Sequence, residues 1–175
     1  MKKALIPGSF DPITVGLAAI IRRAAKIFDK VYVAVMTNDM RKYVSDARVK
    51  SYMFDMTERY EMVRLACAEI SNETGADIEV VCSDGMLVDL VDELLVDVIV
   101  KGVRNETDFL YEQKHALWNR AYNERAETLY MPSEPFLDNI SSTYARELIA
   151  SGQPTDGVLP GAVEEYLKKR QKQCL

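Results

Sequence analysis

What most constrains this chain is an alternation along its length. Short β-branched apolar runs are separated by longer stretches in which apolar residues return every three or four positions. Ala4 to Ile6 is the first run and stops at Pro7-Gly8; after a second turn signal, Asp11-Pro12, an amphipathic pattern begins near Gly16. Leu17, Ile20, Ile21, Ala24, Ile27 and Phe28 form its apolar stripe, while Arg22, Arg23, Lys26 and Asp29 fall on the other side. Val31 to Met36 then reads as a second strand. Strand, helix and strand within about 35 residues make a βαβ unit, whose crossover is right-handed and whose strands are parallel.

The alternation continues. Asp55-x-x-Glu58 has the form of a capping box and opens a helix through Met62, Val63, Ala66, Cys67 and Ile70 that should end before Gly75. Ile78 to Cys82 follows as a strand, Met86 to Leu95 as a helix with Leu87, Leu90, Val91 and Leu94 inward, and Val98 to Val100 as a short buried strand. Lys101 to Arg104 comes next as a loop, then a helix from about Thr107 to Arg125, a strand from Thr128 to Met131, a helix introduced by Ile140-Ser141-Ser142-Thr143 that runs to about Ala150 and is stopped by Ser151-Gly152, and a last helix after Pro160-Gly161. Five strands alternating with helices predict an α/β fold: a Rossmann-like, doubly wound parallel sheet with helices on both faces, spanning residues 1–175 as a single domain. Any ligand is then expected at the carboxyl ends of the strands, near the topological switch point.

Composition narrows the function classes. At 175 residues, 48% apolar and 28% charged, the chain can bury enough apolar surface to offset the conformational entropy lost on folding. Twenty-two basic against 27 acidic residues give a net charge of −5, which argues against nucleic-acid binding on a basic face. Cys67, Cys82 and Cys174 form no C-x-x-C pair, a usage that suits a reducing cytosol better than a disulfide framework or a zinc site. The apolar run after Met1-Lys2-Lys3 is too short for a signal-peptide core, and no segment has the length of a membrane span. The expectation is a soluble, cytoplasmic protein.

Three segments fall where the switch-point rule places a site, and each offers phosphate-binding groups. In the first, Gly8 and Gly16 allow close backbone approach, Ser9 and Thr14 offer hydroxyls, and a helix start supplies free N–H groups. In the second, Lys101 and Arg104 flank Gly102 directly after a buried strand. In the third, Ser141, Ser142 and Thr143 precede a helix. Each has a plain structural reading on its own: turn punctuation, a solvated basic turn, and a helix cap by Ser142. Their convergence on one rim favours a polyphosphate site.

Taken in order, Gly8-Ser9-Phe10-Asp11-Pro12-Ile13-Thr14-Val15-Gly16, Lys101-Gly102-Val103-Arg104 with Asp108-Phe109-x-Tyr111-Glu112 behind it, and Ile140-Ser141-Ser142-Thr143 resemble the bacterial phosphopantetheine adenylyltransferases of the T-x-G-H nucleotidyltransferase superfamily. The resemblance runs over nearly the whole chain. It implies adenylyl transfer from ATP, with magnesium, to 4′-phosphopantetheine, giving dephospho-coenzyme A and pyrophosphate. It implies further a homohexamer and coenzyme A as a feedback ligand. By matched position, Ser9 would contact the reacting phosphates, and Lys42, with Arg41 as its rival, would meet the pantetheine phosphate. Lys101, where the family more often has Arg, and Arg104 would bind phosphates. Glu112 would hold the ribose or triphosphate region, Ser141 to Thr143 would meet the β- and γ-phosphates, and Ile140 would belong to the nucleotide site beside them. Gly8, Phe10, Gly16 and Gly102 would shape the nucleotide site, and Met86 would line the acceptor's path.

Two departures stand out. The signature histidine after Gly16 is replaced by Leu17, which also completes the apolar stripe of the first helix. The one histidine, His115, reads as a helix-surface or interface residue. The polar segment from Asp39 to Met53, which contains Lys42, is longer than the family's connection and is either a lid or an insertion. Two alternatives therefore stay open beside the active enzyme: a nucleotide- or coenzyme-A-binding homologue impaired in catalysis, and a sister nucleotidyltransferase with another acceptor, such as nicotinamide mononucleotide or a polyol phosphate.

Overall fold

Successive side chains on a strand point to opposite faces, so an apolar run without alternation must be covered on both sides. The computed structural model describes residues 1–37 and 51–173. In it β1 (Lys3–Gly8), β2 (Lys30–Met36), β3 (Asp77–Ser83), β4 (Val98–Val103) and β5 (Thr128–Pro132) form one sheet in the order β3-β2-β1-β4-β5, with every neighbour parallel. The helices are α1 (Val15–Ala25), α2 (Met56–Thr74), α3 (Leu87–Glu93), α4 (Glu106–Tyr122), α5 (Ser142–Ala150) and α6 (Gly161–Gln173). Ala4, Ile6, Val31, Val33, Val35 and Val100 enter one core with α1, α2, α5 and α6. Leu5, Tyr32, Ala34, Met36 and Ile99 enter a second core with α3. The sheet is thus covered on both faces, as the uninterrupted apolar runs require.

Local signals set most boundaries. Asp55 caps α2 by accepting from the Glu58 N–H at 2.8 Å while the Glu58 carboxylate accepts from the Asp55 N–H at 3.0 Å, and Gly75 ends the helix at φ 71°, where only a residue without a Cβ sits at ease. Two expectations are corrected. Ile27 is 66% exposed because α1 ends at Ala25 and the stripe does not extend past its cap; Ala18 and Ala19 are buried instead. On α3 the expected Leu87, Leu90, Val91 and Leu94 all pack in the second core, joined by Val88. The second correction is that β4 does not stop at Val100: Lys101, Gly102 and Val103 pair with Tyr130, Met131 and Pro132 of β5, so Lys101 and Gly102 belong to the strand's carboxyl end rather than to a loop.

Candidate active site

The site starts from a gap in the sheet. β1 pairs with β4 only at Ala4–Val98 and Leu5–Ile99, although β1 stays paired to β2 through Gly8 and Val35 and β4 to β5 through Val103 and Pro132. Pro7 has no N–H to extend a ladder. Beyond the last pair, Ile6 to Gly8 and Val100 to Gly102 line the two sides of a cleft of about 510 Å³. β1 and β4 carry the chain away in opposite directions across the sheet, so this is the topological switch point.

The loop after β1 forms the floor. Phe10 is 2% exposed and has φ 46°, a left-handed conformation that a bulky residue holds only where its surroundings over-determine it. Its ring folds back over Gly8, where a Cβ would stand 2.9 Å from the ring. Several groups hold the loop. The buried Asp11 carboxylate accepts from the N–H groups of Met53 and Phe54 at 3.0 and 2.9 Å. Arg146 Nη1 donates to the Asp11 carbonyl at 2.6 Å, Ser142 Oγ donates to the Pro12 carbonyl at 2.8 Å, and Arg59 Nη1 donates to the Ser9 carbonyl at 2.7 Å.

At the head of α1, Thr14 is the N-cap and accepts from the Leu17 N–H at 3.4 Å. The Val15 N–H donates to the Val158 carbonyl at 2.9 Å. Gly16 is therefore the first-turn residue whose N–H no described group engages, and it lines the cleft. Leu17 lines the cleft too, while packing against the edge of the first core. Its aliphatic side chain brings no hydrogen-bond donor to the phosphate region.

The opposite wall is β4 and α4. Asp108, Tyr111, Glu112, His115, Trp118, Asn119 and Tyr122 all line the cleft, a three- and four-residue spacing that places them on one helix face. Lys101 Nζ lies 3.0 Å from Glu112 Oε2, within ion-pair range but without the alignment of a hydrogen bond. Arg104 forms a two-pronged pair with Asp108 at 2.6 and 3.1 Å. Both cations thus meet carboxylates of the adjoining helix. His115, its side chain 28% exposed, lies on the cleft side of α4, its Nδ1 3.9 Å from Glu112 Oε2 and its ring 4.3 Å from that of Tyr111. Burial lowers its pKa below the usual 6.5, Glu112 opposing the shift and Lys101 adding to it. Met86, the N-cap of α3, also lines the cleft.

Ile140, Ser141, Ser142 and Thr143 complete the rim. The cap of α5 is Ser141, which accepts from the Tyr144 N–H at 3.1 Å, and not Ser142, whose hydroxyl reaches across to Pro12. Thr143 Oγ1 accepts from Arg146 Nη2 at 3.1 Å. The structure therefore brings Gly8, Ser9, Phe10, Gly16, Leu17, Met86, Lys101, Gly102, Arg104, Glu112 and residues 140–143 around one cleft. Lys42 and Arg41 lie outside the described residues. Arg146, Trp118, Asn119 and Tyr122 line the cleft as well; for the last three the sequence signal is their helical spacing from Asp108 and Glu112.

Among the described residues no three metal-ligating side chains cluster. A magnesium ion carried by a nucleotide triphosphate needs no such cage, since phosphate oxygens and water satisfy most of its six positions. The groups at hand can therefore accept a metal–nucleotide complex: helix N–H groups, hydroxyls and three cations around a cleft.

The sequence model of the cytidylyltransferase-like family matches residues 5–148. Among curated proteins, a phosphopantetheine adenylyltransferase of Symbiobacterium thermophilum is 39% identical over 97% of this chain and 96% of its own. Its namesakes in Clostridium botulinum and Limosilactobacillus reuteri are 35% and 34% identical, over 100% and 97% of this chain and 100% and 90% of their own. Among solved structures, a Vibrio parahaemolyticus protein with a proposed nicotinate-nucleotide adenylyltransferase activity superposes with a TM-score of 0.67 at 18% identity, covering 97% of this chain and 93% of its own. That similarity establishes a shared fold.

Proposed function

The chain belongs to the cytidylyltransferase-like family and, within it, to the phosphopantetheine adenylyltransferases, and from that premise we propose that it transfers the adenylyl group of ATP to 4′-phosphopantetheine in coenzyme A biosynthesis. A phosphate oxygen of the acceptor attacks the α-phosphorus, the bond from that phosphorus to the bridging oxygen breaks, and pyrophosphate leaves with the electron pair. The acceptor phosphate is already ionised near neutral pH, so the protein needs no nucleophile of its own. It aligns two anions for in-line attack and offsets the charge that builds on the leaving group.

The observation that carries this reading is the meeting of three phosphate-binding segments at the β1–β4 gap. Ser9 and the Gly16 N–H face the reacting phosphates, Lys101 and Arg104 leave their carboxylates for phosphate oxygens, and the head of α5 receives the β- and γ-phosphates. Glu112 orients the nucleotide next to Lys101. Met86 and the apolar part of α4 accompany the pantetheine arm. Magnesium, arriving with ATP, supplies charge neutralisation on the phosphates. Coenzyme A, which contains the product's groups, competes for the same cleft as a feedback ligand.

Leu17 supports a slow enzyme, because the head of α1 presents an aliphatic group where a donor would otherwise face the transition state. The assay is pyrophosphate release with ATP and 4′-phosphopantetheine, run beside nicotinamide mononucleotide as acceptor. Release with the first acceptor alone is the expected result. Release only with the second marks a sister transferase, and ATP binding without release marks a binding homologue.

A homohexamer is part of the proposal. It is supported by Leu110 and Leu117 of α4 and Leu129 of β5, 48%, 67% and 47% exposed, since large exposed apolar side chains favour subunit contact. Light scattering at micromolar concentration is expected to give six times the 19.8 kDa chain mass; a mass near that of one chain overturns it. A cytosolic setting is supported by the unpaired thiols of Cys67 and Cys82; among the described residues no helix is long and apolar enough to cross a membrane.

A further inference from the structure

The charged side chains lining the cleft balance: Lys101, Arg104 and Arg146 stand against Asp84, Asp108 and Glu112. Among the described residues, the lining alone offers a polyanion no net attraction. Directly behind it lies a fourth cation. Arg59 of α2 is the largest fully buried described side chain, 1% exposed, and a guanidinium keeps its charge at any physiological pH. No described carboxylate lies within ion-pair range of it. Its Nη1 donates to the carbonyls of Ser9 and Met36 at 2.7 and 3.1 Å, its Cζ lies 4.2 Å from the centre of the Tyr52 ring, and among the described residues its Nε has no hydrogen-bond partner. A buried charge held by neutral groups is expensive, and costs of that kind persist where they serve a site.

The two carbonyls identify what it serves. Met36 ends β2, and Ser9 is the first residue past β1, so one guanidinium ties together the two strand ends under the phosphate loop. A trans peptide points its N–H opposite to its carbonyl. Holding the Ser9 carbonyl toward α2 therefore turns the Phe10 N–H the other way, and the φ of 46° at Phe10 shows that the chain does not relax into an ordinary loop there. Successive N–H groups around a left-handed residue form a concave anion site.

We propose that Arg59 is a positioning residue for adenylyl transfer: it holds the Ser9–Phe10 peptide with its N–H toward the cleft and lends a positive charge to the bound phosphates from behind. This rests on the adenylyl-transfer reading above. It separates two contributions, the charge, which sets how tightly the nucleotide binds, and the clamp, which sets how well the phosphates are aligned. Displacement of a reacting group by about 1 Å costs on the order of a hundredfold in rate.

The test compares Arg59→Met and Arg59→Lys with the parent by thermal unfolding, by calorimetric ATP affinity and by kcat for pyrophosphate release. Arg59→Met, which removes both charge and clamp, is expected to weaken ATP binding about tenfold, the effect of one lost charge contact, and to lower kcat about a hundredfold. Arg59→Lys keeps the charge but cannot span both carbonyls; ATP affinity should return to the parent value while kcat recovers only in part. Arg64→Ala, an exposed position on the same helix paired to Glu61, serves as the control and should match the parent. Parent-like affinity and kcat in the folded fraction of both Arg59 variants, with only the melting temperature lowered, would overturn the proposal. Should the methionine variant not fold, the lysine variant decides alone, since unchanged kcat there removes the clamp. If the parent itself releases no pyrophosphate, the functional reading fails separately, and ATP affinity still tests Arg59: equal affinity in parent and variants overturns it.

Discussion

The two longest helices, α2 and α4, begin alike and end up doing different work. Each is capped three residues upstream of its first bonded amide, Asp55 accepting from Glu58 and Asn105 from Asp108. α2 then buries Arg59, Met62, Val63, Ala66, Cys67 and Ile70, whereas α4 buries no residue at all. α2 is committed on its inner face to the core and bears on the cleft from behind, through the guanidinium of Arg59 on the Ser9 and Met36 carbonyls. α4 gives its inner face to the cleft and leaves large apolar side chains on its outside. The lesson is that a helix's capping and length say nothing about what its faces meet; a wall built for a ligand and a partner is less buried than a wall built for the core.

The largest expected effects test that division directly. Met62→Ala in α2 should lower unfolding free energy by about 2–5 kcal/mol, the cost of a cavity in a packed core, while Leu117→Ala in α4, 67% exposed, should change the isolated subunit by less than about 0.5 kcal/mol. Denaturant titration reads both, and a comparable loss at the two sites breaks the comparison.

Next in size is Leu17→His, which would place a donor on the core-committed side of the cleft. A single preorganised transition-state donor contributes about 3–4 kcal/mol, or on the order of a hundred- to a thousandfold in turnover. Steady-state kinetics should show kcat rising by about that factor with ATP affinity nearly constant, since the donor acts on charge that develops during reaction. No gain in kcat means that another group already fills the role or that turnover has been lost.

Arg104→Ala combined with Ser142→Ala, one change on each side of the cleft, should weaken ATP binding by about 10- to 100-fold in calorimetry, the effect of removing a charge-assisted contact and a loop tie. Unchanged affinity would remove the nucleotide from this rim.

The smallest effect concerns His115 and pH. Burial holds its folded pKa below the usual 6.5, so the unfolded chain takes up a proton first as pH falls. Its contribution is nil well above 6.5, and stability is lost as pH drops through 6.5 toward the lower folded value. His115→Gln should therefore lose less melting temperature between pH 7.5 and 5.5 than the parent does. An equal loss in both would show that the imidazole is not held neutral by the α4 wall.

Much of the site was legible in the residues, and the part that was not has a physical reason. The turn at Pro7-Gly8, the helix start near Gly16 and the hydroxyls of residues 141–143 announce themselves locally, through missing donors, absent Cβ atoms and capping chemistry. That His115 lines the cleft could not be read locally, because a histidine in the middle of a polar helix carries no sign of which face meets a cleft. Ser142 was taken for the α5 cap because Ser141 and Ser142 are chemically equivalent in sequence; only the approach of Pro12 distinguishes them. Lys101 and Gly102 were placed in a loop because their pairing partners, Tyr130 and Met131, lie far along the chain.

The sequence by itself determined the alternation of strands and helices, the parallel sheet, the apolar faces and the family, because periodicity, capping and turn chemistry act over a few residues and survive without knowledge of neighbours. Tertiary structure alone decided that β1 and β4, distant in sequence, stand side by side and part after Leu5 and Ile99. It decided as well that Lys101 and Arg104 meet carboxylates of α4, and that Arg59, one charged residue among many in the chain, is buried behind the phosphate loop. These are contacts between elements, and their energies depend on which surfaces the fold brings within a few ångströms, a quantity that no local pattern in the chain encodes.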